Sequence, residues 1–453
     1  MNRDYLWILV VAAFCFCAGP VAAGNSLHWS ADRSRVSADI QSEELPGVLQ
    51  QISEATGWQV FLEPDTRRDV SAKFKDLSPG DGLRLLLGQL NFALVPRTNA
   101  PPALFVFRTT QARATQLIQP SKSSKGARVI PNELIVRVKP GVNIDELARK
   151  LGAKVTGRID ALNTYRLEFA DEASAKAARD SLSSNSDVLG IDSNYSIDRP
   201  PPPESVNGIP VPEVNLQSKE NSGSCEVVVG LIDTAVGSLG SGLDKFLLPS
   251  ITVPETSGAA PTELTHGTAM AQTIFQNLQK STGGKTSVKV LPVNVYGNNA
   301  TANTFDIGNG IWQASQRGAN VFNLSLGGTG DSPFLHGMIT GLSQKGSVFF
   351  SAAGNEPVTT PTYPAAYSEV VAVTASDPSG QLAAYANRGS FVSIMEPGTS
   401  IVTFGGQSYA VIGTSTATAF ATGMAAGMAD AGGECPAKVI PTLRSKFGVS
   451  LGQ

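Results

Sequence analysis

Charge is scarce in this chain. Of its 453 residues only 16% are Asp, Glu, Lys or Arg, and the formal net charge is −3. No face or run of the sequence is strongly basic, so nothing supplies the electrostatic footprint that nucleic acid requires, and no nucleic-acid partner is expected. Histidine is scarcer still, with His28, His266 and His336 the complete set. No stretch is dense enough in Asp and Asn to read as a calcium loop, and no metal or cofactor is expected. Cysteine occurs four times, as Cys15, Cys17, Cys225 and Cys435. Beyond the first two dozen residues no apolar run approaches the length that spans a bilayer, so no transmembrane segment is expected there.

The first residues are the exception. "MNRDYLWILVVAAFCFCAGPVAAGNS" places one arginine before an apolar run that closes on Val-Ala-Ala. That is the pattern of a cleaved secretory signal, expected over residues 1–23, and the run is short for a membrane anchor. Cys15 and Cys17 would leave with it, and the bulky Phe14 and Phe16 argue against a lipoprotein cleavage box. Two cysteines remain for an oxidising compartment, which points to one disulfide between Cys225 and Cys435, the alternative being two unpaired buried thiols. A hydrophobic content of 42% fits folded domains, and the length exceeds one ordinary core.

Three modules are expected. Residues 36–108 read as small α+β: "SEELPGVLQQISEATG" sets Leu45, Val48, Leu49 and Ile52 at helical spacing before Gly57. "SPGDGLRLLLGQL" opens a second helix with Ser78 and Pro79, while "WQVFLE", "VSAKFKDL" and "LFVFR" read as strands. This pattern resembles the short N-terminal domain of secretins and TonB-dependent receptors, which implies peptide or protein partners at a cell envelope and no catalysis. Residues 129–198 follow the order β-α-β-β-α-β of a split ferredoxin-like unit. This unit looks like the propeptide of subtilisin-type proteases. Residues 199–224 contain "RPPPPESVNGIPVPE" and read as an extended, exposed linker.

In residues 225–453 the apolar, valine-rich runs "EVVVGLID", "SVKVLPVNVY", "ANVFNLSL", "GSVFFSAAG" and "VVAVTA" alternate with helical stretches. Such alternation predicts an α/β domain with a parallel sheet covered on both faces, with its chemistry at the carboxyl ends of the strands. "EVVVGLIDTAV" ends in Asp233, "ELTHGTAMAQTI" starts a helix at His266, "VFFSAAGNEP" leads to Asn355, and "GTSTATA" supplies Ser415. Each alone reads as a turn residue or a helix cap. Together they supply an acid, a base, an amide donor and a hydroxyl nucleophile at a helix N-terminus.

Through "IDTAV", "THGTAMA", "NLSLGG", "SAAGNE" and "GTSTATAFATG", the region from Val227 to about Ala431 resembles the subtilisin-like serine proteases. The resemblance implies a parallel-sheet catalytic domain preceded by two small α+β domains, and a peptidase with Ser415 as nucleophile, His266 as general base and Asp233 orienting the imidazole. It implies an oxyanion hole from Asn355 and the Ser415 N–H, a substrate-binding strand at Ser325, Leu326 and Gly327, and Thr362 at the base of the primary specificity pocket. Alanine stands at Ala235, Ala269 and Ala419 where the family usually has glycine, histidine and proline. Two other functions fit the same residues: a catalytically weak or inactive protease-like binding protein at the envelope, and an esterase using the same triad. The expected location is the periplasm or outside the cell, with peptide or protein substrates.

Overall fold

The computed structural model describes residues 26–449, apart from 31–34, 65, 67, 97–100, 119–126, 207–208, 222, 241 and 255–260. The expected signal segment, residues 1–23, lies outside the described residues. The chain divides into two compact units, 1–124 and 125–453.

The first unit has β1 (Ser26–Trp29), β2 (Val36–Glu44), α1 (Leu45–Thr56), β3 (Gln59–Leu62), β4 (Asp69–Leu77), α2 (Pro79–Leu87), β5 (Asn91–Val95), β6 (Ala103–Phe107) and β7 (Gln116–Ile118). They form a sheet β1-β2-β4 and a sheet β5-β6-β3-β7. The helical spacing explains the packing: Leu45, Val48, Leu49 and Ile52 of α1 are fully buried with Leu83, Leu86 and Leu87 of α2 in one cluster. Gly57 ends α1 in the left-handed region at φ 70°, where a side chain would be strained.

The second unit opens with β8 (Val129–Val138), α3 (Ile144–Lys150), β9 (Lys154–Ile159), β10 (Thr164–Glu168), α4 (Glu172–Ser183) and β11 (Val188–Asp198). Their sheet runs β11-β8-β10-β9 and is extended beyond β11 by β18 (Thr301–Asn303), a strand of the following domain. Between them come β12 (Glu204–Val206) and β13 (Gln217–Ser218). The proline-rich 199–224 stretch is therefore not free along its length: β12 pairs with β24 (Gln407–Ile412) and β13 with β16 (Lys285–Thr286). Backbone pairing at those two points overrides the extended, solvated conformation that proline content alone favours.

The last domain carries β14 (Val228–Asp233), β15 (Ile251–Thr252), α5 (His266–Thr282), β17 (Lys289–Asn294), α6 (Thr304–Gln316), β19 (Val321–Leu324), α7 (Pro333–Ser343), β20 (Val348–Ala352), β21 (Val370–Ser376), β22 (Ile394–Pro397), β23 (Thr399–Phe404), α8 (Thr414–Gly432) and α9 (Ile440–Phe447). A seven-stranded sheet runs β15-β17-β14-β19-β20-β21-β22, with every pair parallel. Alternate residues of β14 feed opposite faces: Val229 and Leu231 join a core with α5 and α8, whereas Val228 and Ile232 join one with α6 and α7. Burial on both faces explains the unbroken valine runs. Strand order reverses at β14, which lies between β17 and β19, and the crevice beyond its carboxyl end is where such sheets place their chemistry.

The small residues of α8 let it approach α5 closely. A Cβ at Gly423 would lie 2.5 Å from the Ile274 carbonyl oxygen, and one at Gly427 2.5 Å from Ser281 Cβ. Ala417, Ala421, Ala425 and Ala429 are fully buried beside them. A disulfide joins Cys225, ahead of β14, to Cys435, just beyond α8, with Cα atoms 5.1 Å apart.

Candidate active site

Asp233 is the last residue of β14 and is 1% exposed. Its carboxylate accepts the Thr234 N–H at 2.7 Å, and both its oxygens lie 2.9 Å from His266 Nδ1. His266 is the first residue of α5, whose N-cap Thr265 accepts the Thr268 N–H through its hydroxyl. The two segments meet closely because residue 267 is glycine: a Cβ there would lie 2.3 Å from the Thr234 carbonyl oxygen. The Gly267 N–H donates to Thr234 Oγ1 at 2.8 Å. With Nδ1–H held by the carboxylate, Nε2 is the nitrogen left to accept a proton.

Ser415 is the second residue of α8, following Gly413, whose φ is 153°. A Cβ on Gly413 would lie 3.1 Å from Asn355 Nδ2, so glycine makes room for that amide beside the helix start. Asn355 follows β20, and its Oδ1 accepts the Thr414 N–H at 2.8 Å and the Thr414 hydroxyl at 3.0 Å. That engagement leaves the Nδ2 end near Gly413. The Gly354 N–H donates to Thr414 Oγ1 at 3.1 Å, so both residues flanking the bend share one anchor.

Ser325 follows β19, and its hydroxyl donates to the Ser415 carbonyl at 3.1 Å while accepting from Asn323 Nδ2 at 2.9 Å. Asn323 Oδ1 accepts the Thr422 hydroxyl one helical face further along α8, at 3.0 Å. The Ser415 hydroxyl donates to the Ser325 carbonyl at 3.3 Å. Leu326 is buried, Gly327 is exposed, and Gly328 exchanges backbone hydrogen bonds with Tyr363 at 3.0 and 2.7 Å. A Cβ at Gly327 would lie 3.0 Å from the Tyr363 carbonyl oxygen, so a side chain there would crowd that carbonyl. Thr362 donates its hydroxyl to the Ala353 carbonyl at 2.7 Å, tying the Tyr363 segment to the end of β20.

All the residues singled out from sequence thus stand at the carboxyl edge of the sheet or on segments bonded to it. Sequence reasoning missed Thr234, Asn323, Thr414 and Thr422, which orient the others. All four stood inside quoted motifs, but the bond between Asn323 and Thr422 joins residues 99 positions apart and carried no local signal. Ala419 lies buried inside α8, where alanine continues the helix, and Ala269 is buried in α5. Among the described residues no group of His, Cys, Asp and Glu is arranged to hold a metal ion.

A parallel-sheet domain with this site at its switch point has the subtilisin-like α/β fold. Residues 224–435 match the subtilase family, peptidase S8, and residues 116–192 match the fervidolysin N-terminal prodomain. The match to the subtilase family thus lies after a match to a protease prodomain. The chain is similar to thermitase of Thermoactinomyces vulgaris, at 35% identity over 37% of this chain and 61% of that protein. A thermophilic serine proteinase of Bacillus sp. (strain AK1) is 29% identical over 68% of this chain and 80% of that protein. Among solved structures, fervidolysin of Fervidobacterium pennivorans, described as a keratinolytic enzyme related to subtilisin, superposes with a TM-score of 0.55 at 18% identity. That superposition covers 71% of this chain and 59% of fervidolysin. The chain thus spans about three fifths of the length of thermitase and of fervidolysin.

Proposed function

We propose that the protein is an exported serine endopeptidase, made as a zymogen, in which Ser415, His266 and Asp233 hydrolyse peptide bonds. The observation that carries this is the buried Asp233–His266 pair at 2.9 Å, in which His266 begins α5, the helix that packs closely along α8, whose second residue is Ser415. His266 Nε2 takes the proton of Ser415 as its Oγ adds to the scissile carbonyl, then delivers it to the leaving amine. Asp233 holds the imidazole tautomer and stabilises the imidazolium. The oxyanion is met by the Ser415 N–H, Asn355 Nδ2 and the positive end of the α8 dipole.

Substrate lies extended along Ser325, Leu326 and Gly327, and its principal side chain enters the pocket closed by Thr362. A threonine there shortens the pocket and favours Leu or Met over Phe or Tyr. The prodomain grips the N-terminus of α6: Asn194 Oδ1 accepts the Phe305 N–H at 3.0 Å, and Arg166 pairs with Asp306 at 3.1 Å. Its tail then runs along β18 to Arg199, which borders a cavity that also reaches Ala235 and Thr265. Self-cleavage between residues 199 and 224 releases this hold.

The first unit acts as a binding module like the short N-terminal domain of secretins and TonB-dependent receptors, with an envelope protein as its partner. With a cleaved signal at residues 1–23 the enzyme works in the periplasm or outside the cell. No helix of the described residues is long and apolar enough to cross a membrane. Intact mass and casein hydrolysis on wild type and Ser415→Ala test the reading. Wild type is expected to be cut between residues 199 and 224 and active, and the variant uncut and inert. An active Ser415→Ala protein contradicts the assignment.

A further inference from the structure

The prodomain tail is bound to the protease domain in a way that reports what the cleft accepts. Ser196, Ile197 and Asp198 pair antiparallel with β18, and the Arg199 N–H donates to the Ala300 carbonyl at 2.9 Å. After Pro200–Pro203, residues 204–206 pair antiparallel with β24, the strand that leads through Gly413 to Ser415. The chain therefore enters along one strand edge and leaves along another, and only prolines, which lack an N–H to pair, bridge the gap between them. An extended peptide adding to the same edges would place its side chains where those of the tail lie.

The side chain of Arg199 is held with unusual completeness for a residue at a domain junction. Its Nε–H donates to the Asn299 carbonyl at 2.9 Å and its Nη2–H to the Gly297 carbonyl at 2.6 Å. The guanidinium carbon lies 5.6 Å from the centre of the Tyr296 ring. The turn that presents these carbonyls is built in: Asn294 Oδ1 accepts the N–H groups of Tyr296 and Gly297 at 3.1 and 2.9 Å, and the Asn299 N–H closes on the Tyr296 carbonyl at 2.9 Å. Tyr296 is fully buried, and its hydroxyl donates to the Asp198 carbonyl at 3.1 Å, so the same residue fixes the backbone one position earlier. The cavity that Arg199 borders, about 380 Å³, also reaches Ala235, two residues after Asp233, and Thr265, next to His266. Two positions before Arg199, Ile197 is 4% exposed in the same cluster as Leu326 and Phe305.

We propose that Tyr296, Gly297 and Asn299 form a guanidinium-binding subsite, and that the enzyme selects peptides carrying arginine there with an aliphatic residue two positions earlier. The proposal rests on the endopeptidase reading above. Two carbonyls separated along a turn match two N–H groups of one planar fork, and a ring face meets the plane; an ammonium group, a single point of charge, cannot meet all three at once. Carbonyl dipoles and a ring receive the charge, and among the described residues no carboxylate pairs with Arg199, so the preference is expected to survive in salt better than a surface ion pair would.

Two measurements test this, one with catalysis and one without it. Purified wild-type protein cut between residues 199 and 224 is given fluorogenic peptides of the form Ile-Ala-Xaa-Leu, with Xaa Arg, Lys, Leu or Ala, and kcat/KM values are compared as ratios on the same preparation. Arginine is expected to exceed lysine by on the order of tenfold and alanine by on the order of a hundredfold, the value of charge-assisted hydrogen bonds. Tyr296→Leu should collapse the Arg-to-Leu ratio while Tyr296→Phe retains it; a ratio is independent of how much of the variant folds. Equal or better cleavage with Leu or Ala at Xaa overturns the proposal. In the second arm, amide hydrogen exchange is followed at residues 196–199 and 301–303 of the Ser415→Ala chain carrying Arg199→Lys or Arg199→Ala. Faster exchange in both variants, larger for alanine, supports an arginine site, and unchanged exchange overturns it. Should that arm succeed with no peptide hydrolysed by any preparation, the arginine site stands and the endopeptidase reading falls.

Discussion

Glu396 is a carboxyl group in a place that offers it nothing. It lies on β22, paired in register with Ala375 of β21, and is 3% exposed, with its Oε1 lacking any hydrogen-bond partner. Burial alone pushes its pKa up to about 7 from 4.5. The folded state therefore keeps a proton that the unfolded chain releases between those two values, so stability is highest below pH 4.5 on this account and falls as pH rises toward 7. The full penalty, about 3 kcal/mol from 1.36 kcal/mol per unit, is in force above pH 7, and about 2–3 kcal/mol of it is acquired between pH 5 and pH 8. Glu396→Gln removes the charge and keeps the shape and donor of the protonated acid. The assay is thermal unfolding of the variant and its parent, both carrying Ser415→Ala to prevent self-digestion, at pH 5 and pH 8. The two should melt together within about 1 °C at pH 5 and separate by roughly 5 °C at pH 8, the variant higher. A separation that is the same at both pH values would refute the reasoning, because a structural effect of glutamine does not titrate. The position matters for the site: Gly398, two residues on, accepts the Gly413 N–H at 2.9 Å and so supports the turn that presents Ser415.

Replacing Cys225 and Cys435 by serine opens a loop with a sequence separation of 210 residues and should lower stability by about 5 kcal/mol in the chain-entropy account. Thiol titration of denatured, unreduced protein should find neither cysteine reactive, and denaturant midpoints of the double variant give the loss. Thr362→Gly removes a side chain anchored on the Ala353 carbonyl, and should raise cleavage after Phe or Tyr relative to Leu by roughly 10–100-fold in a peptide library. An unchanged library profile would show that Thr362 does not bound the pocket.

The α/β class of the last domain was legible because long buried strands write themselves as unbroken apolar runs. Five of the seven strands of the sheet stood out in this way. The other two, β15 at Ile251–Thr252 and β22 at Ile394–Pro397, sit at the edges and are too short to leave a period. Asp233, His266, Asn355 and Ser415 were legible from the short motifs they stand in and not from their bonding: Asp233 accepts the N–H of its neighbour Thr234, but His266 is bound to Asp233, Asn355 to Thr414 and Ser415 to Ser325, each far away in sequence. What escaped were the supporting hydrogen bonds made across the fold. The Asn323–Thr422 tie and the hold of Arg199 on Gly297 and Asn299 join residues about a hundred positions apart. Prolines marked 199–224 as a linker, and nothing local announced that its Glu204–Val206 segment would find an edge at β24.

The central claim is that Ser415 is a nucleophile activated by His266 and Asp233. Labelling by a fluorophosphonate, read by peptide mass mapping, tests it most directly, because the reagent modifies a serine only where a base and an oxyanion hole act together. A single adduct is expected on Ser415 in protein cut between residues 199 and 224, with labelling lost in His266→Ala and slowed by on the order of 10²–10³-fold in Asn355→Ala. Such cut protein left unlabelled at Ser415, or labelled equally well without His266, would contradict it.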